Sequence, residues 1–197
     1  MITVVYLHGF RSSPASVKAT QFRHAVAALP AAERPKVHVP DLYHQPRDAI
    51  ATVTAWVDDA ADPGSLTFVG SSLGGYYATY LAERYGARAV MINPAVRPYD
   101  DLRPFLGVQT NMYSGATFVV TQAHFDELQS LRVARISRPD RYFLLVETGD
   151  DVLDYSEAVA FYGGAWQYVR GGGDHTFTDF VAQIPAILRF AGVAGIR

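Results

Sequence analysis

The stretch Leu66–Ala78, LTFVGSSLGGYYA, decides how the rest of the chain is read. Leu66–Val69 is apolar or β-branched at every position, as in a strand buried on both faces of a parallel sheet. Gly70-Ser71-Ser72-Leu73-Gly74 follows with the spacing Gly-x-Ser-x-Gly, and from Leu73 a helical pattern runs to Tyr85. Strand, tight turn and helix are the setting in which this spacing carries chemistry. A serine on such a turn is held in a strained backbone conformation with its hydroxyl raised into a cleft. Side chains at the flanking glycines would collide with the neighbouring strand or helix. The first amides of the following helix, Leu73 among them, point at the same cleft and can stabilise a developing oxyanion. Ser71 fails the register, because Val69 stands where its upstream glycine should be. Ser72 is therefore the candidate nucleophile; the plainer alternative is an ordinary glycine-rich helix start.

The same alternation extends outward in both directions. Ile2–Leu7, Lys36–Val39, Ala87–Ile92, Tyr142–Val146 and Ala165–Val169 join Leu66–Val69 as candidate strands, most of them apolar throughout. Helical patterns lie near Ala15–Leu29, Arg47–Ala61, Leu73–Tyr85, Tyr155–Phe161 and Ile184–Phe190. This βαβα order predicts an α/β fold: a doubly wound, mostly parallel sheet of about six strands with helices on both faces. Asp62-Pro63-Gly64 ends the second helix, and Gly86 stands where a helix C-terminal cap belongs. Pro185 is awkward inside a helix running from Thr178, so the last helix is expected to begin near Ile184 with the proline in its first turn. From Pro94 to Asp140 no strand is evident, only helical pieces around Tyr99–Leu106 and Gln122–Leu131 separated by Gly107 and Asn111–Gly115. So long an insertion between two strands reads as a cap-like cover over a site (residues 94–140) within one domain, 1–197.

The first strand ends in Leu7-His8-Gly9-Phe10. A second oxyanion donor is expected there, the backbone N–H of Phe10, with Gly9 letting the chain come close to substrate. His8 lies at the wrong end of the order Ser…Asp…His and is read as structural. Of the remaining histidines, His24 and His38 fall within a helix and a strand, and His44 and His124 have no partnering pattern. His175 differs: it follows the last strand in the glycine-rich loop Gly171–Phe177, which can carry an imidazole across the sheet edge. Its role would be general base toward Ser72 and then general acid toward the leaving group. Gly149-Asp150-Asp151-Val152-Leu153-Asp154 offers three acids after the fifth strand. Asp154 precedes Tyr155-Ser156-Glu157 as a helix N-cap would. Asp150 is the first choice to orient His175, and Asp151 the second.

Composition narrows the classes further. The 197 residues are 49% hydrophobic and 18% charged, the proportions of a packed core rather than a disordered chain. A formal charge of −2 removes the basic surface a nucleic-acid binder needs, so no nucleic-acid partner is expected. No apolar run approaches the roughly 18–20 residues of a membrane span. The N-terminus MITVVYLHGF has no basic region and no cleavage site, which reads as a cytoplasmic protein without a signal peptide. Cysteine is absent, which removes thiolate catalysis and sulfur-bound zinc. There is no G-x-x-x-x-G-K-[ST], no G-x-G-x-x-G after the first strand and no H-E-x-x-H, so neither a cofactor nor a metal is expected. Apart from Lys18 and Lys36 the basic residues are arginines. Arg97, Arg103, Arg132, Arg135 and Arg138 fall in the insertion and read as a solvated face balanced by Asp100, Asp101, Asp126 and Glu127; contact with acyl-CoA phosphates is the sharper alternative. Tyr99, Phe105, Tyr113 and Phe118 there would line an acyl pocket or simply pack.

On five segments the sequence resembles the α/β-hydrolase superfamily and, within it, the small YqiA-type esterases. They are Tyr6–Pro14 (YLHGFRSSP), Gly70–Ala78 (GSSLGGYYA), Ile92–Ala95 (INPA), Thr148–Tyr155 (TGDDVLDY) and Gly172–Phe177 (GGDHTF), in order along nearly the whole chain. The resemblance implies hydrolysis of small-molecule acyl esters or thioesters through an acyl-enzyme on Ser72, with the acid in the TGDD segment. It also implies a trimmed fold without the first antiparallel strands of larger relatives. The competing class is a non-catalytic binding protein on the same scaffold.

Overall fold

A computed structural model describes residues 2–59 and 65–196. Six strands, β1 (Thr3–Leu7), β2 (Lys36–His38), β3 (Leu66–Ser71), β4 (Arg88–Ile92), β7 (Tyr142–Glu147) and β8 (Trp166–Arg170), form one sheet in the order β2-β1-β3-β4-β7-β8. All of its pairings are parallel. These are the six strands expected, within a residue or two at each end. Ala61 and Asp62-Pro63-Gly64, expected to end the second helix, lie outside the described residues.

The inner strands β1, β3, β4 and β7 are mostly apolar because each face of the sheet meets a different set of helices. On one face Val5, Leu7, Phe68, Met91, Leu144 and Val146 pack with α2 (Pro46–Asp58), α3 (Leu73–Tyr85) and α6 (Tyr155–Phe161). On the other face Val4, Tyr6, Val69, Val90, Ile92 and Leu145 pack with α1 (Val17–Ala27) and α7 (Phe180–Phe190). Each large side chain buried in this way contributes about 1.5–3 kcal/mol. Gly86 caps α3 at φ +64°. Asp154 caps α6 by accepting the amide of Ser156 at 2.8 Å.

Two expectations need correction. The last helix begins at Phe180, not Ile184, and carries Pro185 in its interior. The proline removes one helical hydrogen bond, to the carbonyl of Val181. Phe180, Ile184, Ile187 and Leu188 nevertheless all reach the core along this single helix, and their burial outweighs the missing bond. The segment 94–140 does contain strands: β5 (Gly107–Thr110) pairs antiparallel with β6 (Thr117–Val120), apart from the main sheet. Four-residue strands with alternately exposed positions leave no apolar run to notice. Asn111 turns the hairpin, its Oδ1 accepting the amides of Tyr113 and Ser114. Beside the hairpin stand α4 (Pro98–Asp101), a 3-10 turn at Arg103–Phe105 and α5 (Gln122–Ser130).

The site follows from strand order. β2 and β3 flank β1 on opposite sides, so chain direction across the sheet reverses there, and a crevice opens beyond the C-terminal ends of β1 and β3. Leu7 and Gly70 are paired in register at that edge.

Candidate active site

Ser72 stands between β3 and α3 with φ +55° and ψ −123°, a conformation that L-residues rarely adopt. Its environment explains both motif glycines. A Cβ on Gly70 would lie 2.1 Å from the carbonyl oxygen of Gly74, and one on Gly74 would lie 2.1 Å from that of Leu7. The backbone can therefore turn this tightly against β1 only if both positions lack side chains. Ser72 donates its amide to Ile92 O at 3.0 Å, while its own carbonyl accepts from Gly75 and Ala95.

The His175 loop reaches the same point from the far end of the sheet. His175 Nε2 lies 3.1 Å from Ser72 Oγ, and Nδ1 lies 2.8 and 3.0 Å from the two carboxylate oxygens of Asp150. Asp150 Oδ1 also accepts the amides of Val152 and Leu153 at 2.9 Å each. Burial pushes the Asp150 carboxyl up, but the bonds from His175 and those two amides more than offset it and hold the group below its ordinary range. An ionised acceptor at Nδ1 fixes the proton there and leaves the Nε2 lone pair facing the serine hydroxyl. Asp151, the second choice, is exposed and makes no such contact.

The two amides expected to face an oxyanion belong to segments adjoining Ser72. Leu73 opens α3, so its N–H has no acceptor within the helix. Phe10 follows Gly9, whose Cβ position would be 3.2 Å from Ser72 Cβ, so this loop lies directly against the serine. His8 is buried and holds the loop in place. Its Nδ1 bonds Gly9 O at 3.1 Å and its Nε2 accepts the Leu42 amide at 3.2 Å. Burial lowers its pKa, against the opposing pull of the Gly9 carbonyl and Asp41, which keeps the ring neutral for that pairing.

Two residues with no signal of their own hold the histidine loop. Glu147 ends β7 fully buried and accepts the amides of Asp174 (3.0 Å), Thr178 (2.9 Å) and Asp179 (3.2 Å), the Thr178 hydroxyl (2.9 Å) and Arg170 Nη1 (2.6 Å). Burial alone would raise its pKa; the donors of Thr178, Asp174 and Arg170 reverse this and bring it to about 2. Asn93, with φ +39°, donates Nδ2 to the carbonyls of Asp174 and His175 and accepts the Glu147 amide at 3.0 Å. Among the described residues the non-glycine positions of positive φ are Arg11, Ser72, Asn93 and Phe177, and all four border this site. Asn93 lies inside the INPA segment but showed no chemistry by itself, and nothing in the local sequence marks Glu147.

The crevice has two lobes that share His8, Gly9, Phe10 and Ser12. The larger, of about 470 Å³, takes in Ser72, His175, Lys18, Tyr113 and Met112. The smaller, of about 190 Å³, takes in Leu73, Leu42, Tyr77, His44 and Phe118. The tip of the β5–β6 hairpin borders both. Arg11 Nε donates to Thr110 O at 2.9 Å, Asn111 Nδ2 to Ser12 O at 2.8 Å, and Phe10 packs edge-on against Phe105 and Phe118. Of the four aromatics singled out, Tyr113 and Phe118 line the lobes, Phe105 supports Phe10, and Tyr99 packs on the core. Arg97 pairs with Glu157, Arg103 with Asp100 and Arg138 with Asp140, and none of the insertion's arginines lines either lobe. His44 and His124, expected to lack partners, bond each other at 3.1 Å, and His44 stacks on Phe118. Folding brings together residues 80 apart in sequence, which no local pattern reveals. Among the described residues no three His, Asp or Glu side chains converge to ligate a metal, and no helix is long and apolar enough to cross a membrane.

Known structures share this architecture. A provisionally assigned hydrolase from Agrobacterium vitis S4 is 20% identical, with a TM-score of 0.75 over 96% of this chain and 87% of the other. The mouse alpha/beta hydrolase domain-containing protein 10 is 17% identical, with a TM-score of 0.70 over 94% of this chain and 87% of its own. Est1E from Butyrivibrio proteoclasticus, solved with ferulic acid bound, is 14% identical, with a TM-score of 0.70 over 96% of this chain and 88% of its own. At such identities the likeness speaks for the fold, which is that of the α/β hydrolases. The sequence itself matches the model of an uncharacterised protein family, UPF0227, from residue 3 to residue 192. This chain, with its serine turn and histidine loop meeting at the sheet edge, belongs to the UPF0227 family.

Proposed function

We propose that the protein is a serine hydrolase cleaving carboxylic esters or thioesters through an acyl-enzyme on Ser72. The observation that carries this reading is the single imidazole of His175 within hydrogen-bond reach of both Ser72 Oγ and the Asp150 carboxylate. In the first step Oγ attacks the substrate carbonyl carbon as its proton passes to His175 Nε2. The carbonyl oxygen becomes an oxyanion between the amides of Phe10 and Leu73. The bond to the leaving oxygen or sulfur then breaks, and that atom takes the proton from Nε2. Water repeats the sequence on the acyl-enzyme, releasing the acid and restoring Ser72. Asp150 stays ionised and holds the ring in the required tautomer. Each oxyanion donor is worth about 10²–10³ in rate. Residues 94–140, through the hairpin over both lobes, form the cover that excludes water from the reaction.

A fluorophosphonate probe tests the reading directly. The folded protein is expected to take one label, at Ser72, and to hydrolyse 4-nitrophenyl butyrate. Ser72→Ala is expected to lose both properties without a change in circular dichroism. A wild-type protein that neither labels nor turns over would instead be a binding module on a hydrolase scaffold, and turnover retained in Ser72→Ala would refute the assignment.

A further inference from the structure

The two lobes differ in their chemistry as well as their size. His175 lines the larger lobe and not the smaller. The departing atom must take its proton from His175 Nε2, so the leaving part of a substrate belongs in the larger lobe. The smaller lobe, walled by Leu42, Tyr77 and Phe118 beside the Leu73 amide, is left for the acyl chain. Apart from the histidines, Lys18 is the one charged side chain that lines the larger lobe among the described residues, and no carboxylate does.

Lys18 stands in the first turn of α1 and gives one proton to Thr176 O at 2.7 Å, leaving two to donate. Asp174, Asp150 and Glu147 act on it only at a distance, and each is already engaged. Asp174 accepts from the Thr176 amide and hydroxyl, Asp150 from His175, and Glu147 from Arg170 and the loop amides. Burial draws Lys18 down to about 8 in spite of those three charges, as expected of an ammonium group lacking a counter-ion in contact. Nearby, the Tyr113 hydroxyl accepts the Val17 amide at 3.4 Å and keeps its own proton to donate. Tyr6, on the floor of the lobe, has a buried hydroxyl with no partner among the described residues. Lys18, Tyr113 and Tyr6 thus bring spare donors to a lobe that no carboxylate lines, and the complement of such a lobe is an anion.

We infer that the alcohol or thiol part of the substrate carries an anionic group, a carboxylate or a phosphate, which Lys18 binds in the larger lobe. The inference deepens the hydrolase reading and rests on it for the choice of which side leaves. The anion takes no part in the bond changes and departs on the alcohol.

Two esters of equal size test it: 4-butyryloxybenzoate, which is charged on the leaving side, and 4-butyryloxybenzamide, which is neutral. Wild type is expected to favour the benzoate in kcat/KM by about 10-fold or more. In Lys18→Met that ratio is expected to collapse toward one, whatever happens to absolute rates, and Lys18→Arg is expected to retain it. The ratio is also expected to fall as pH rises through about 8, where Lys18 loses its proton, since any pH effect on the shared acyl-transfer chemistry moves both esters alike and cancels. 4-Butyryloxyphenyl phosphate separates the two anions: a larger preference than for the benzoate assigns phosphate, and a smaller one assigns carboxylate. Equal turnover of benzoate and benzamide by wild type would overturn the inference and leave the hydrolase reading standing. If neither ester reacts, fluorophosphonate labelling and 4-nitrophenyl butyrate turnover decide the hydrolase reading, and calorimetry with 4-hydroxybenzoate and 4-hydroxybenzamide decides the anion site alone. Tighter binding of the benzoate that depends on Lys18 supports the site, and equal binding overturns it.

Discussion

The Ser72 turn and the His175 loop end 3.1 Å apart, yet they are held by different means. At Ser72 the backbone packs on backbone: Gly70 and Gly74 are fixed by carbonyl oxygens at 2.1 Å from where their side chains would begin. At His175 the loop is rich in glycine and takes its shape from side chains elsewhere, Glu147 gathering its amides and Asn93 its carbonyls. Steric exclusion has no graded response, because a carbonyl tied into a strand or a helix cannot move aside. A network of hydrogen bonds loses its members one at a time. The two halves of the site should therefore break differently.

The largest effect is expected from Gly74→Ala, which drives a Cβ into the Leu7 carbonyl at the end of β1. A loss of more than about 4 kcal/mol, or no folded protein at all, is expected in urea unfolding. A stable, active variant would show that the turn can relax after all. Next comes Asp150→Ala, expected to lower kcat by about 10³–10⁴ with little change in melting temperature. Glu147→Gln keeps the shape and removes the charge that the loop donors address. It is expected to lower kcat roughly 10–100-fold with a smaller change in KM, as a positioning residue should. It is also expected to cost about 2–3 kcal/mol in stability near pH 7.

The pH dependence of that loss has a definite sign. Glu147 is held at about 2, below its ordinary 4.5, so its contribution is complete above about 4.5 and drains away as pH falls toward 2. Acid unfolding of wild type should show this limb and Glu147→Gln should not. Asn93→Gly keeps the left-handed backbone while deleting three hydrogen bonds, and is expected to cost about 1–3 kcal/mol and up to roughly 10-fold in kcat. The smallest effect belongs to Asp151→Ala. With an exposed side chain outside the network, it is expected to change kcat less than about twofold. A large loss there and none at Asp150 would reverse the reading of the acid.

The contrast also marks what could be read in advance. Ser72 was legible because a backbone collision forces glycine at fixed spacing, and the constraint is written into adjacent residues. The four inner parallel strands were legible because burial on both faces keeps nearly every position apolar, and the two edge strands follow from their place in the alternation. The β5–β6 hairpin was missed because its strands are short and half exposed, so neither periodicity nor apolar runs single them out. The interior Pro185 was misjudged because local propensity opposes a helix there, and the core contacts of Phe180 are invisible locally.

By itself the sequence determined the strand-and-helix order, the strained serine turn and the histidine loop that could reach it, since each rests on periodicity or on steric rules acting within a few residues. Only the tertiary structure set Asp150, and not Asp151, against His175, put Glu147 and Asn93 behind the loop, and left Lys18 lining a lobe without a carboxylate. Those assignments are distances between residues far apart in the chain, and they exist only once packing has closed the sheet between its helices.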